Sequence, residues 1–341
     1  MDKVSSGAAG KAARPEWQSV LAKYEKPSGW KAAWQLINTF VPYAALWTVM
    51  VLMLNHGFSY WLILPLEVVA AGLFVRFFIF FHDCGHGCFL PSRTANRIVG
   101  YVTGVLTWTP FDDWKRQHAL HHAGSGNLDR RGAGDIWTLT VEEYKAAPLR
   151  TKIGYRLFRS PFVLLILGPL YLFIVAHRFP HKGANAKAKW SVVFTNLGIV
   201  GLGTAAAFTV GLRTYLLIHL PMVALAGCAG VWLFYVQHQY ERTYWAEQAD
   251  WDPIRAALEG SSYYKLPKLL QWFSGNIGLH HIHHLRAKIP NYNLQACLDR
   301  IPEMQKARTI TLWSSFKCLT LNLWDERTQN MVPFRALKSR V

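Results

Sequence analysis

Fourteen histidines stand in this chain of 341 residues, and nine of them fall into three short clusters. The first is HDCGH at 82–86, the second HALHH at 118–122 and the third HHIHH at 280–284. Side chains three or four positions apart share one face of a helix. On that rule His82/His86, His118/His121/His122 and His280/His283/His284 each form such a face. His281 points away from its neighbours, and Cys84 points away from the His82/His86 stripe. Neutral imidazole suits zinc, copper, iron and nickel, so ligand type alone does not choose the metal. Ligand number says more: one zinc takes three or four protein ligands, so eight converging imidazoles imply two metals sharing the set. Soluble di-iron proteins use Glu and Glu-x-x-His ligands, and no Glu-x-x-His occurs here. HExxH, the zinc metalloprotease signature, is also absent. An all-histidine dinuclear iron site is the reading that remains.

Single residues near the clusters extend the candidate site. His238, in YVQHQY at 235–240, ends a hydrophobic run and is a ninth candidate ligand by position. A ligating imidazole donates its other N–H to a carboxylate or carbonyl. Asp83, Asp112, Asp113 and Asp135 lie close enough in sequence to the first two clusters to take that role, with Asp83 and Asp135 preferred. Asn276, four residues before His280, shares the third stripe on a continuous helix and is placed to hold a water on a metal. His56, His177, His181 and His219 read as interfacial or packed side chains.

The elements that must carry these residues are membrane helices. The chain is 51% hydrophobic and 17% charged, with 15 Trp among 14% aromatic residues. Its mean hydropathy is +0.09. This composition excludes disorder, a collagen-like chain and a small disulfide scaffold. Five Cys with no CxxC pair offer no disulfide framework and point to a reducing compartment. Apolar runs long enough to span lie at about 32–54, 60–81, 190–211 and 214–236. Two shorter stretches, about 98–111 and 161–176, are expected to embed in the membrane without crossing it. Glu67 and Arg76 interrupt the second run. Charge inside lipid is costly, so Arg76 is expected to snorkel outward and Glu67 to face the bundle interior. No cleavable leader is expected, since the first 31 residues are polar and basic.

Lysine and arginine set the orientation. Of the 37 such residues, 6 lie in the N-terminal arm, 13 in 115–189 and 14 in 238–341. The loop between the last two long runs has only Arg213. The positive-inside rule then places both termini and all three histidine clusters on the cytoplasmic side of the cell membrane. The net charge of +17 therefore marks one membrane face, with no nucleic-acid motif competing for it. The expected fold is all-α and integral to the membrane. It has four spans in two hairpins, short embedded helices and a cytoplasmic helical cap carrying the di-iron site.

HxxxH, HxxHH and HxxHH in this order resemble the membrane fatty acid desaturase superfamily. The likeness extends to HDCGHGCF at 82–89, the segment 106–144, GPLYLF at 168–173, WLFYVQHQYE at 232–241, the segment 259–285 and IPNYNL at 289–294. Among its members the chain is most similar to bacterial acyl-lipid desaturases of the Des type of bacilli, which act at Δ5 of phospholipid acyl chains. The resemblance covers about residues 75–326. It implies a membrane desaturase domain over 32–326, between a basic arm at 1–31 and a tail at 327–341. It also implies two irons held by His82, His86, His118, His121, His122, His280, His283 and His284, with His238 as the further ligand. Cys88 stands where Ser is frequent in the family.

The implied reaction is O2-dependent insertion of a cis double bond into the acyl chain of a membrane lipid. No Rossmann GxGxxG, iron–sulfur cysteine spacing or haem domain is present, so electrons must come from an external ferredoxin or flavodoxin-like protein. A hydroxylase or ketolase of the same superfamily would share the clusters. A histidine-lined metal transporter, from a different class, would place its site near the bilayer midplane instead.

Overall fold

The computed structural model describes residues 16–132 and 134–340; Lys3, Lys11 and Arg14 of the basic arm lie outside them. From the N-terminal side, α1 (Glu16–Ala22) and the following turn pack Leu21 against Leu294, Cys297 and Ile301. Glu25 fixes that contact by pairing with Arg286 at 3.1 Å. Next come α2 (Gly29–Asn55), α3 (Leu64–His86), α4 (Arg93–Leu106) and α5 (Phe111–Gly124). Three shorter helices follow: α6 (Val141–Ala146), α7 (Leu149–Phe158) and α8 (Gly168–Leu170). The long helices α9 (Ala186–Thr209) and α10 (Leu212–His238) precede α11 (Pro253–Glu259), α12 (Lys268–Phe273), α13 (His280–Leu285) and α14 (Asn291–Arg300).

Four helices, α2, α3, α9 and α10, are long and apolar enough to cross a membrane. Their surfaces differ. α2 and α9 are mostly exposed along their apolar length, whereas α3 is mostly buried. Lipid is as apolar as leucine, so burial of α3 reflects close packing and polar contacts more than water exclusion. Phe74, Phe77, Phe80 and Phe81 of α3 join Phe111 of α5 and Met222 of α10 in one buried cluster. α3 is thus the central post of the molecule.

Several boundaries differ from the sequence expectation. The second run starts later and ends later, because residues 60–62 form a separate turn and the first histidine cluster continues the helix. α3 stops one residue after His86 becomes available, at Gly87, whose φ of +71° is the left-handed cap that glycine adopts without strain. The stretch 98–111 is not one element: α4 ends at Leu106, and Phe111 opens α5 after a turn. The stretch 161–176 belongs to a helical segment running from Val163 to Arg178, bent by 67° from α7, in which π-helical turns at 163–167 and 171–175 flank α8. The fold is not wholly helical. β1 (Tyr263–Lys265) pairs in parallel with β2 (Thr309–Thr311), and β3 (Leu323–Asp325) pairs antiparallel with β4 (Asn330–Val332). A tail starting at 327 would therefore begin inside the β3–β4 hairpin.

Of the two charged residues that interrupt the apolar run, Glu67 faces the interior as expected and Arg76 departs from expectation. Glu67 is fully buried and accepts a hydrogen bond from the Tyr60 hydroxyl at 3.0 Å. Arg76 does not snorkel: it is 2% exposed, because Thr39 of α2 and the Trp272 carbonyl accept its N–H groups inside the protein.

Close packing of α4 and α5 can be tested at glycine. A Cβ on Gly100 would lie 2.2 Å from the Phe111 ring, whereas one on Gly201 of α9 would meet nothing within 4 Å. Gly100→Ala is expected to lower the thermal unfolding midpoint in detergent, reflecting about 1–3 kcal/mol of overpacking. Gly201→Ala is expected to leave it unchanged or raise it.

Candidate metal centre

The nine histidines form two adjacent groups. His82, His86, His118, His122 and His283 make one; His121, His238, His280 and His284 make the other. Within each group the ring nitrogens lie within 4.8 Å of one another. The helix period explains the division. A residue and its fourth neighbour stack on one stripe, while the third neighbour lies to one side. In α5, His118 and His122 therefore join the first group and His121 the second. In α13 the pattern is reversed, with His280 and His284 in the second group and His283 in the first. α3 supplies His82 and His86 to the first group, and the last residue of α10 supplies His238 to the second. The single face expected for each HxxHH cluster is thus two.

Spacing and orientation fit ions at both places. Nε2 of His82 lies 3.0 Å from Nε2 of His118, which lies 3.1 Å from that of His122; His122 and His283 are 2.9 Å apart. In the second group, Nε2 of His280 lies 3.0 Å from that of His238 and 3.1 Å from that of His284. Two nitrogens each about 2.1 Å from one ion, at right angles, are separated by about 3.0 Å. Nε2 of His86 and of His121 are buried with no hydrogen-bond partner, a costly state unless a cation faces them. Burial first, and then neighbouring histidine rings, hold His118, His122, His283 and His284 well below the usual imidazole range. The rings are accordingly neutral, the form that binds metal. Among the described residues, neither group contains a carboxylate or a thiol.

The opposite ring nitrogens are held from outside. Asp83 Oδ1 lies 3.0 Å from His82 Nδ1, and Asp135 Oδ1 lies 2.6 Å from His121 Nδ1. The Gly260 carbonyl is 3.2 Å from His238 Nδ1. Each contact leaves Nε2 facing its group. Asp83 is itself fixed, since its Oδ2 accepts from the backbone N–H and the side-chain amide of Asn291 at 2.7 and 2.9 Å. Trp114 stacks on His118 with ring centroids 4.3 Å apart, and Phe234 lies 5.1 Å from both His121 and His238. These rings shield the groups from water.

Other candidates lie elsewhere. Asp112 takes Tyr101 and Lys187, and Asp113 takes His181. His281 points away as expected, its Nε2 2.9 Å from the Met304 carbonyl. Asn276 is not on the helical stripe of the third cluster, because α13 begins only at His280. It sits in a turn at φ +59° and donates to the Asn291 carbonyl. His56, His177 and His219 join neither group, and Cys84 is packed in the core. Asn291 was not singled out by spacing; it lies 208 positions from Asp83, and the only sign of it was its place in the IPNYNL segment.

The fatty acid desaturase profile matches residues 59–316. The chain belongs to the fatty acid desaturase family. A fatty acid desaturase of Bacillus subtilis (strain 168) is 48% identical over 318 residues, covering 93% of this chain and 90% of its own. The sn-1 acyl-lipid omega-3 desaturase (ferredoxin) of Nostoc sp. (strain 36) is 28% identical over 263 residues, covering 71% and 68%. The sn-1 oleoyl-lipid 12-desaturase of Synechocystis sp. (strain ATCC 27184 / PCC 6803 / Kazusa) is 27% identical over 257 residues, covering 71% and 69%. The desaturase is therefore an oxidoreductase of lipid metabolism and a membrane protein.

If Asp135 orients His121 as a ligand, Asp135→Asn should weaken metal retention about 10- to 100-fold in a chelator competition. Retention equal to that of the unaltered desaturase would remove Asp135 from the site.

Proposed function

We propose that this desaturase uses O2 to insert a cis double bond into the acyl chain of a membrane lipid, with two iron ions held by the nine histidines. The observation that carries the proposal is the pair of adjacent all-histidine groups in a chain with this family membership. His82, His86, His118, His122 and His283 would hold one ion, and His121, His238, His280 and His284 the other. Bound there, the pair would supply the redox chemistry by which O2, two electrons and two protons take two hydrogens from neighbouring methylenes, leaving an alkene and two waters.

The chain's own residues do the positioning. Asp83, Asp135 and the Gly260 carbonyl hold three rings with Nε2 inward, and Trp114 and Phe234 keep bulk water from the groups. A saturated chain has no polar handle at the reacting carbons. Selectivity must come from how far the chain is held from the site, and a displacement of about 1 Å can change the rate on the order of 10²-fold.

Orientation in the membrane follows from charge. Both α3 and α10 end at histidine ligands, and 33 of the 37 lysines and arginines fall in segments that four spans in two hairpins would place on that same side. The proposed site therefore faces the cytoplasm. The Nostoc relative is named for ferredoxin, and a small acidic ferredoxin or flavodoxin would meet a basic face here.

Expression in a host without desaturases should yield double bonds at one position in the extracted lipids, located by mass spectrometry of disulfide adducts. The purified protein should retain about two irons per chain, and His283→Ala should abolish the product, whereas His56→Ala should not. Full desaturation by His283→Ala would break the assignment. With a purified acidic donor, turnover should slow steeply as ionic strength rises, because surface charges are screened within about 10 Å at 0.1 M salt.

A further inference from the structure

Between the cytoplasmic end of α2, the middle of α3 and α12 lies an open cavity of about 590 Å³. We propose that it binds the phosphate of the acyl substrate, borne on a lipid headgroup; this rests on the desaturase reading above and names the part of the substrate that is held.

Three cations line the cavity, Arg76, Lys265 and Lys268, and among the described residues no Asp or Glu does. Arg76 is the deciding group. It is buried, yet its hydrogen-bond acceptors are the neutral Thr39 hydroxyl and Trp272 carbonyl, and its guanidinium lies 4.0 Å from the Trp272 ring centroid. A buried charge without an opposite charge is unfavourable in itself, and guanidinium is suited to a phosphate. Gln35 also lines the cavity, its amide donating to Asn291 Oδ1 at 2.8 Å. The setting is interfacial. Trp34 and Trp272 are exposed beside the cavity, Leu269 and Leu270 project from α12, and Lys265 and Lys268 are exposed with them. Arg76 precedes His82 by six residues on α3, about 9 Å along the helix. A phosphate held there would fix the depth from which the chain reaches the histidines.

The test is binding. Purified iron-loaded desaturase in neutral detergent would be titrated with dipalmitoyl-phosphatidylglycerol, a dipalmitoyl glycolipid of neutral headgroup, and palmitoyl-CoA, with retention read by native mass spectrometry. The phosphatidylglycerol should bind at least about tenfold tighter than the glycolipid. Arg76→Gln should remove most of that preference. The double variant Lys265→Gln/Lys268→Gln, altered only at exposed positions, should also reduce it and guards against misfolding of the first. An undiminished preference in the double variant would overturn the site. If these changes weakened palmitoyl-CoA and left phosphatidylglycerol untouched, the lipid source would be overturned in favour of a thioester carrier. Double-bond formation in cells separates the two readings. Desaturation with no headgroup preference would sink the phosphate site alone, whereas phosphate-dependent binding with no double bond formed would sink the desaturase reading alone.

Discussion

An unprotonated imidazole nitrogen withdrawn from water must face a proton donor or a cation. Here nine rings converge, and the Nε2 atoms of His82, His118, His122, His283, His238 and His280 lie about as close to another ring's nitrogen as to any other polar group. Nothing in the described groups is acidic, so the rings cannot satisfy themselves by ion pairing. Their convergence is what a pair of cations would require, and much of the architecture answers that requirement. Four helices from distant parts of the sequence, α3, α5, α10 and α13, must end or pass at one place. The negative charge that a cation pair would demand is held one hydrogen bond back, at Asp83 and Asp135.

That requirement explains why α3 is the buried helix. It carries His82 and His86 at its end, Arg76 in its middle and Glu67 near its start, and each polar group needs protein around it. α2 and α9 carry none of the nine converging histidines and remain mostly exposed. α3, in contrast, meets α2, α4, α5, α10 and α12. Asn291 shows the same economy: one side chain and its backbone N–H secure Asp83, which secures His82.

The long helices and the nine histidines were legible in sequence because both depend on local period. Twenty apolar residues read as a span wherever they lie, and HxxHH reads as a helical arrangement without knowledge of its neighbours. Contacts across long sequence distances were not legible. Arg76 was expected at the surface because nothing local reveals that Thr39 and the Trp272 carbonyl await it. Asn276 was placed on a stripe because the start of α13 at His280 is set by the preceding turns, not by histidine spacing. The strands β1 to β4 have three residues each, too few for alternation to register. The division of each HxxHH cluster between two groups needed the directions of facing helices, which one helix alone does not contain.

That division has a structural meaning of its own. α5 and α13 each reach both groups, so neither can shift toward one without withdrawing from the other. His118 and His121 have ring centroids 5.8 Å apart, as do His283 and His284. The interval between the two positions is therefore ruled by backbone pitch, as a gauge block rules a gap. Side-chain replacement can empty a position but cannot retune the interval; only inserting or deleting a residue within a cluster would do that.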